Sequence, residues 1–142
     1  MEINITFLFV YGSLRSGFSH PEHEYISKYF TFITKARVKG LLYDAGDYPA
    51  AVPNAKEIFI IGELYKVKNN ADFQWVIKEL DTYEEADLEE SIVPLYKREL
   101  TEVIYNDTTA RAWIYWYNRS TEGKILIPSG DVTDVIELKS KS

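Results

Sequence analysis

Glu84 is an acid in an apolar position. Helical periodicity runs from about Ala71 to Glu84, opened by Asn69, Asn70 and Asp72. At about 100° per residue, Phe73, Val76, Ile77, Leu80 and Tyr83 fall within one arc of roughly 120°. Glu84 follows Phe73 by eleven residues, which returns it to within about 20° of that stripe. Glu85 falls about 100° further round, toward solvent. An acid held against a core loses hydration, and its pKa rises unless an opposite charge compensates. A carboxyl so shifted can give and take protons near neutral pH. The competing reading is a fraying helix end from which Glu84 bends into water, and the wheel alone does not separate the two. Trp75 projects from the polar face, so a second cover over this helix is expected.

The other chemical feature is Tyr11-Gly12-Ser13-Leu14-Arg15, which closes the first apolar run. Gly12 allows a sharp bend, and the amides of Gly12, Ser13 and Leu14 can then converge on a carboxylate or another anion. Ser13 adds a hydroxyl and Arg15 a charge. Out of context the same residues make an ordinary turn. His20 and His23, three apart with Pro21 between them and no third ligand in view, are read as surface residues rather than a metal site.

These residues need a scaffold. The chain has 142 residues, 46% hydrophobic and 15% aromatic, enough for one domain over 1–142 with a substantial core. A net charge of −6 argues against nucleic acid and anionic membrane as partners. The absence of cysteine excludes disulfides and thiolate chemistry and suits a cytoplasmic location. Ile5 to Tyr11 is too short to span a bilayer and reads as a buried strand. Ser19-His20-Pro21-Glu22 looks like a helix start, with Tyr25, Ile26, Tyr29, Phe30 and Ile33 at helical spacing behind it. Extended segments follow at Ala36–Tyr43 and Ile58–Val67, separated by turn-rich Asp44–Pro49 and Pro53-Asn54. Tyr96–Tyr105 and Ala110–Tyr117 flank Asn106-Asp107 as a hairpin. Its second strand is aromatic on both faces, so it is covered twice or lines a barrel interior. The tail 137–142 is polar and expected to fray. The fold class expected is α+β: a small mixed, partly closed β-barrel of five or more strands with two flanking α-helices. A monomer is the default.

Phe9-Val10-Tyr11-Gly12-Ser13-Leu14-Arg15 resembles the signature of the γ-glutamylcyclotransferase-like family, in its γ-glutamylamine cyclotransferase and AIG2-like branch. The likeness continues through Gly40–Asp44, Tyr48–Pro53, Gly62-Glu63-Leu64-Tyr65, Leu80-Asp81-Thr82-Tyr83-Glu84 and Leu95–Glu99, and ends in the aromatic strand Ala112–Asn118. It spans residues 7 to 118, in the expected order.

The resemblance implies that Tyr11, Gly12, Ser13 and Leu14 bind substrate and that Glu84 is the catalytic acid–base. The implied reaction turns a γ-glutamyl group into 5-oxoproline as its own α-amine attacks the side-chain carbonyl, releasing an amine or amino acid. The substrate would be a γ-glutamyl small molecule, with no metal or other cofactor required. Arg15, Tyr96, Arg98 and Tyr117 are further pocket candidates, although Arg98 equally suits a structural pairing with an acid. Glu63 reads as a strand-pairing or fold residue and Asp81 as serving the turn or helix end. Glu85 stands where the family often has glycine, and the acidic stretch 85–90 after it leaves substrate choice open. Two other readings stand beside the enzyme: a non-catalytic small-molecule binding or regulatory module, and an acyl-removing step on a larger biosynthetic amine.

Overall fold

The computed structural model describes residues 5–11, 21–44, 49–83 and 96–131. Among these residues, seven strands and two α-helices occur in the order β1 (Phe7–Val10), α1 (Pro21–Tyr29), β2 (Phe30–Asp44), β3 (Pro49–Pro53), β4 (Phe59–Val67), α2 (Phe73–Tyr83), β5 (Tyr96–Tyr105), β6 (Thr108–Tyr117) and β7 (Ile125–Leu126). The strands pair in the order β3-β2-β4-β1-β6-β5, and a bridge between Arg37 and Ile104 joins β5 back to β2. The result is a closed five-stranded barrel, β2-β4-β1-β6-β5, with β3 and β7 added along the far half of β2. It is mixed because β1 and β6 run parallel, in register at Leu8 and Trp113, while the other pairs are antiparallel.

Alternation along the strands divides the apolar residues into two layers. Phe9, Val38, Ile60, Leu64, Ala112, Ile114 and Trp116 belong to an inner core. Leu8, Val10, Tyr65, Val67, Tyr115 and Tyr117 pack in a second core with Ile26 of α1 and Phe73, Val76, Ile77 and Leu80 of α2. The aromatic strand β6 is therefore covered on both faces, and each large side chain so buried contributes about 1.5–3 kcal/mol. Gly62 permits the closest approach within the wall: a methyl group there would run into the Val10 carbonyl and the Phe9 ring.

Local chemistry sets the ends of the elements. The Asn69 side chain accepts from the Ala71 amide at 3.0 Å and opens a 3-10 turn, Asn70–Asp72, that leads into α2. Asn106 and Asp107 take φ values of 46° and 62°, giving β5 and β6 a two-residue turn that matches strand twist. Trp75, 43% exposed, meets the ring of Tyr29 edge-on at 5.0 Å, so α1 is the second cover expected for α2.

One expectation is corrected, and one strand is added. Phe30 and Ile33 do not continue α1: the helix stops at Tyr29, and Phe30 begins β2 opposite Val67. The run Phe30-Thr31-Phe32-Ile33-Thr34 is aromatic and β-branched, and pairing with β4 outweighs its accidental helical spacing, with a bulge between Phe32 and Thr34. The segment between the two turns is itself a strand, β3. Its prolines stand at its two ends, and it is paired only with β2, so an edge tolerates them.

Candidate functional site

Strand direction gathers the described candidate residues, Tyr11, Tyr96, Arg98 and Tyr117, at one end of the barrel. β1 and β6 run side by side and finish at Val10 and Tyr117. β5 begins there, with Tyr96 opposite Tyr117 and Arg98 opposite Tyr115. β4 passes Val10 at Glu63. Tyr11, Tyr96, Arg98 and Tyr117 thus belong to one neighbourhood. Gly12, Ser13, Leu14, Arg15, Glu84, Glu85, the stretch to residue 90 and the tail 137–142 lie outside the described residues, as do the side chains of His20, His23 and Tyr83.

Tyr115 organises this end. The hydroxyl of Tyr11, the last described residue before Gly12, donates to the Tyr115 carbonyl. The Tyr115 hydroxyl donates to Asp81 Oδ1 at 2.8 Å. Asp81 also accepts from Arg98, whose Nε reaches Oδ1 at 2.7 Å and whose Nη2 reaches Oδ2 at 3.0 Å. The Arg98 guanidinium lies over the Trp113 ring at 4.3 Å, and the Trp113 indole N–H donates to the Ile5 carbonyl at 2.9 Å. The pair is largely shielded, with 22% of the Arg98 side chain and 16% of that of Asp81 exposed, so the charge-assisted contacts hold α2 firmly on the β5–β6 hairpin. Asp81 lies in the last turn of α2, but its carboxylate is spent on this clamp rather than on a turn. Arg98 serves the structural pairing that its sequence left open.

Tyr96 and Tyr117 meet edge to face at 6.0 Å, and the Tyr96 hydroxyl donates to the Pro49 carbonyl at 2.7 Å, fixing β3 against the hairpin. Glu63 is buried, with the Tyr65 hydroxyl donating to its Oε1 at 3.0 Å. Periodicity missed its burial because β4 is apolar on both faces, which hides which way an interposed acid points. Among the described residues no group of three His, Cys, Asp or Glu side chains could hold a metal. None of the described helices is long and apolar enough to cross a membrane.

A small mixed barrel whose first strand is followed in sequence by Tyr11-Gly12-Ser13-Leu14, and whose second helix is followed in sequence by Glu84, defines a class. The chain belongs to the γ-glutamyl cyclotransferase, AIG2-like family, whose model matches residues 8–133. It is 33% identical over 136 residues to the γ-glutamylcyclotransferase family protein YtfP of Escherichia coli, covering 89% of this chain and 96% of that one. Among solved structures it resembles YkqA of Bacillus subtilis, with a TM-score of 0.71 and 27% identity over 96% of this chain. The chain spans only 43% of the length of YkqA. An AIG2-like protein of Mus musculus shares the fold, with a TM-score of 0.59 at 19% identity over 84% of this chain and 90% of that one.

Proposed function

We propose that this protein cyclises a γ-glutamyl group to 5-oxoproline, releasing an amine or amino acid, with Glu84 as general acid and base. The observation that carries the reading is the double attachment at Tyr115. Its carbonyl holds Tyr11, the residue before the glycine loop, and its hydroxyl holds Asp81, three residues before Glu84. The described residues that precede Gly12 and Glu84 in sequence are therefore tied to the same strand residue. In this reading the loop amides of Gly12, Ser13 and Leu14, with Arg15 beside them, hold the substrate's α-carboxylate or the carbonyl oxygen as charge develops on it.

The nucleophile comes from the substrate itself, so a pocket that folds the γ-glutamyl chain back on itself supplies much of the acceleration through proximity. Glu84 takes the proton from the attacking α-amine, the C–N bond of the lactam forms, and the proton passes to the departing nitrogen as its bond to the carbonyl breaks. Tyr96 and Tyr117 offer an aromatic wall for the leaving portion. Arg98 would contribute by holding Asp81.

The test is incubation with γ-glutamyl-lysine and γ-glutamyl dipeptides while 5-oxoproline is followed by mass spectrometry. Turnover is expected, and Glu84→Gln should lower it about 10²–10⁴-fold. Turnover unchanged by Glu84→Gln would remove the assigned acid–base. Absence of 5-oxoproline from every substrate would leave a binding module on the same fold.

A further inference from the structure

The seam that closes the barrel is only partly zipped. β5 pairs with β6 along all 10 of its residues, but with β2 only where Arg37 meets Ile104. Beyond that bridge β2 pairs with β3 instead, from Gly40 opposite Pro53 to Asp44 opposite Pro49. A cavity of about 510 Å³ opens where β5 and β2 part, lined by Lys39, Asn54, Thr101, Glu102, Ile104 and Trp116. Pro53 also borders it, whereas the Tyr96 hydroxyl holds the other end of β3 at Pro49. None of Tyr11, Tyr96, Arg98 and Tyr117 lines this cavity. Trp116 is the buried member of its wall, 3% exposed. The indole N–H of Trp113 donates to the Ile5 carbonyl and that of Trp75 to Asp72 Oδ1 at 3.4 Å. The Trp116 N–H has no acceptor among the described residues. A buried donor in that state is costly, and in a cavity wall it suits an occupant that accepts. Lys39 and Glu102 stand on either side of the opening, on β2 and β5, and neither forms an ion pair among the described residues.

We infer that this cleft is a second ligand site, and that it takes a short zwitterionic peptide of about two residues. Its volume equals that of about 17 waters at about 30 Å³ each, room for a dipeptide rather than a single amino acid. β5 presents the main chain of Thr101 and Glu102 on an edge that β2 no longer pairs, and such edges accept extended peptides by main-chain hydrogen bonding. The opposed charges choose the ends: Lys39 receives the carboxylate and Glu102 the ammonium. A plain anion or a plain cation would satisfy one wall and be repelled by the other. The Trp116 N–H donates to a peptide carbonyl between those ends, with the Thr101 hydroxyl beside it. A peptide seated there bridges the parted strands. No bond is made or broken, and the site needs neither Glu84 nor the cyclisation, so it stands apart from the γ-glutamyl reading.

Three probes test the cleft in the full chain: alanyl-alanine, its N-acetyl form, which lacks the ammonium, and its C-terminal amide, which lacks the carboxylate. Binding is followed by NMR of the tryptophan indole N–H groups, with the Trp116 signal assigned from its loss in Trp116→Phe. Alanyl-alanine should move the Trp116 signal more than those of Trp75 and Trp113, and should bind about fivefold more tightly than either derivative. Lys39→Met should bring the dipeptide and its amide to equal affinity, and Glu102→Gln should do the same for the dipeptide and its acetyl form. Both side chains are exposed, so both variants keep the fold, and turnover of γ-glutamyl substrates should be unchanged in each. A Trp116 signal that stays still up to about 10 mM dipeptide overturns the inference. Equal affinity for the three probes does so too, as does a preference that survives both substitutions. Binding lost in Glu84→Gln but kept in Lys39→Met would seat the peptide at the γ-glutamyl site and sink the second site alone. Failure to form 5-oxoproline, with the Trp116 response intact, would remove the γ-glutamyl reading and leave this one standing.

Discussion

Arg98 grips Asp81 through two hydrogen bonds, 2.7 and 3.0 Å long, and so pins the last turn of α2 to the β5–β6 hairpin. Arg98→Ala removes both bonds and the stacking on Trp113, and leaves a shielded carboxylate with the Tyr115 hydroxyl for company. We expect a loss of about 2–3 kcal/mol in urea unfolding. A double-mutant cycle with Asp81→Ala should return a coupling of about 1–2 kcal/mol. Independent, additive effects would show that the pair contributes no interaction energy.

Tyr115→Phe isolates the link from the strand to the residue three before Glu84. The ring stays and only the hydroxyl is lost, so stability should fall by about 1 kcal/mol. If Asp81 carries position to Glu84, kcat should drop about tenfold or more, because a small displacement of an acid–base is costly. An unchanged kcat would mean that Glu84 is positioned independently of this link.

Tyr25 supplies the pH prediction. Burial, and then its hydrogen bond to Glu79 at 2.8 Å, push its hydroxyl well above the usual tyrosine range. The raised folded-state pKa favours the protonated form. Its stabilising effect is therefore complete below the unfolded value of about 10 and is lost as the pH climbs beyond it. In a spectrophotometric alkaline titration Tyr25 should ionise after the exposed tyrosines, and Tyr25→Phe should flatten the fall in stability above about pH 10. Superimposable alkaline stability curves for the two proteins would remove the effect.

The hairpin turn offers a stabilising change. Asp107 holds a φ of 62°, which glycine adopts freely and aspartate at a modest cost. Asp107→Gly should raise stability by about 0.5–1 kcal/mol in thermal or urea unfolding and leave turnover untouched. A loss of stability would imply that the Asp107 side chain does more than sit in the turn.

Gly62→Ala should act in the opposite direction. The added methyl would strike the Val10 carbonyl and the Phe9 ring, and backbone cannot yield as a side chain does. We expect a loss of about 1–3 kcal/mol with a shift of the loop that follows β1, visible as a raised KM in a folded protein. A neutral outcome in unfolding would mean that β1 and β4 can move apart without cost.

Much of this architecture is legible in the sequence, for physical reasons. The β5–β6 hairpin is readable because a two-residue Asn-Asp turn between apolar runs leaves few alternatives. The stripe through Phe73, Val76, Ile77 and Leu80 is readable because a 3.6-residue period has one buried side. Phe30 and Ile33 misled because a bulged strand can mimic helical spacing over four residues. β3 escaped notice because its prolines are turn signals unless an edge is known to lie there. At the site, Tyr11, Tyr96 and Tyr117 could be grouped from the family likeness, but the clamp of Asp81 by Arg98 and Tyr115 could not. Its members lie 17 and 34 residues from Asp81, and nothing in the local pattern selects that acid among so many.

The parallel pairing of β1 with β6 governs when the protein becomes competent during its manufacture. Tyr11 leaves the ribosome early, but the carbonyl that receives it belongs to a residue 104 positions later. At about 5–20 residues per second, that partner follows roughly 5–20 s behind. Until then β1 has β4 on one side only, and the barrel wall has a gap where β6 belongs. A nascent chain halted before Thr108 lacks the strand that receives Tyr11, so on the γ-glutamyl reading ligand binding should switch on abruptly once the hairpin emerges.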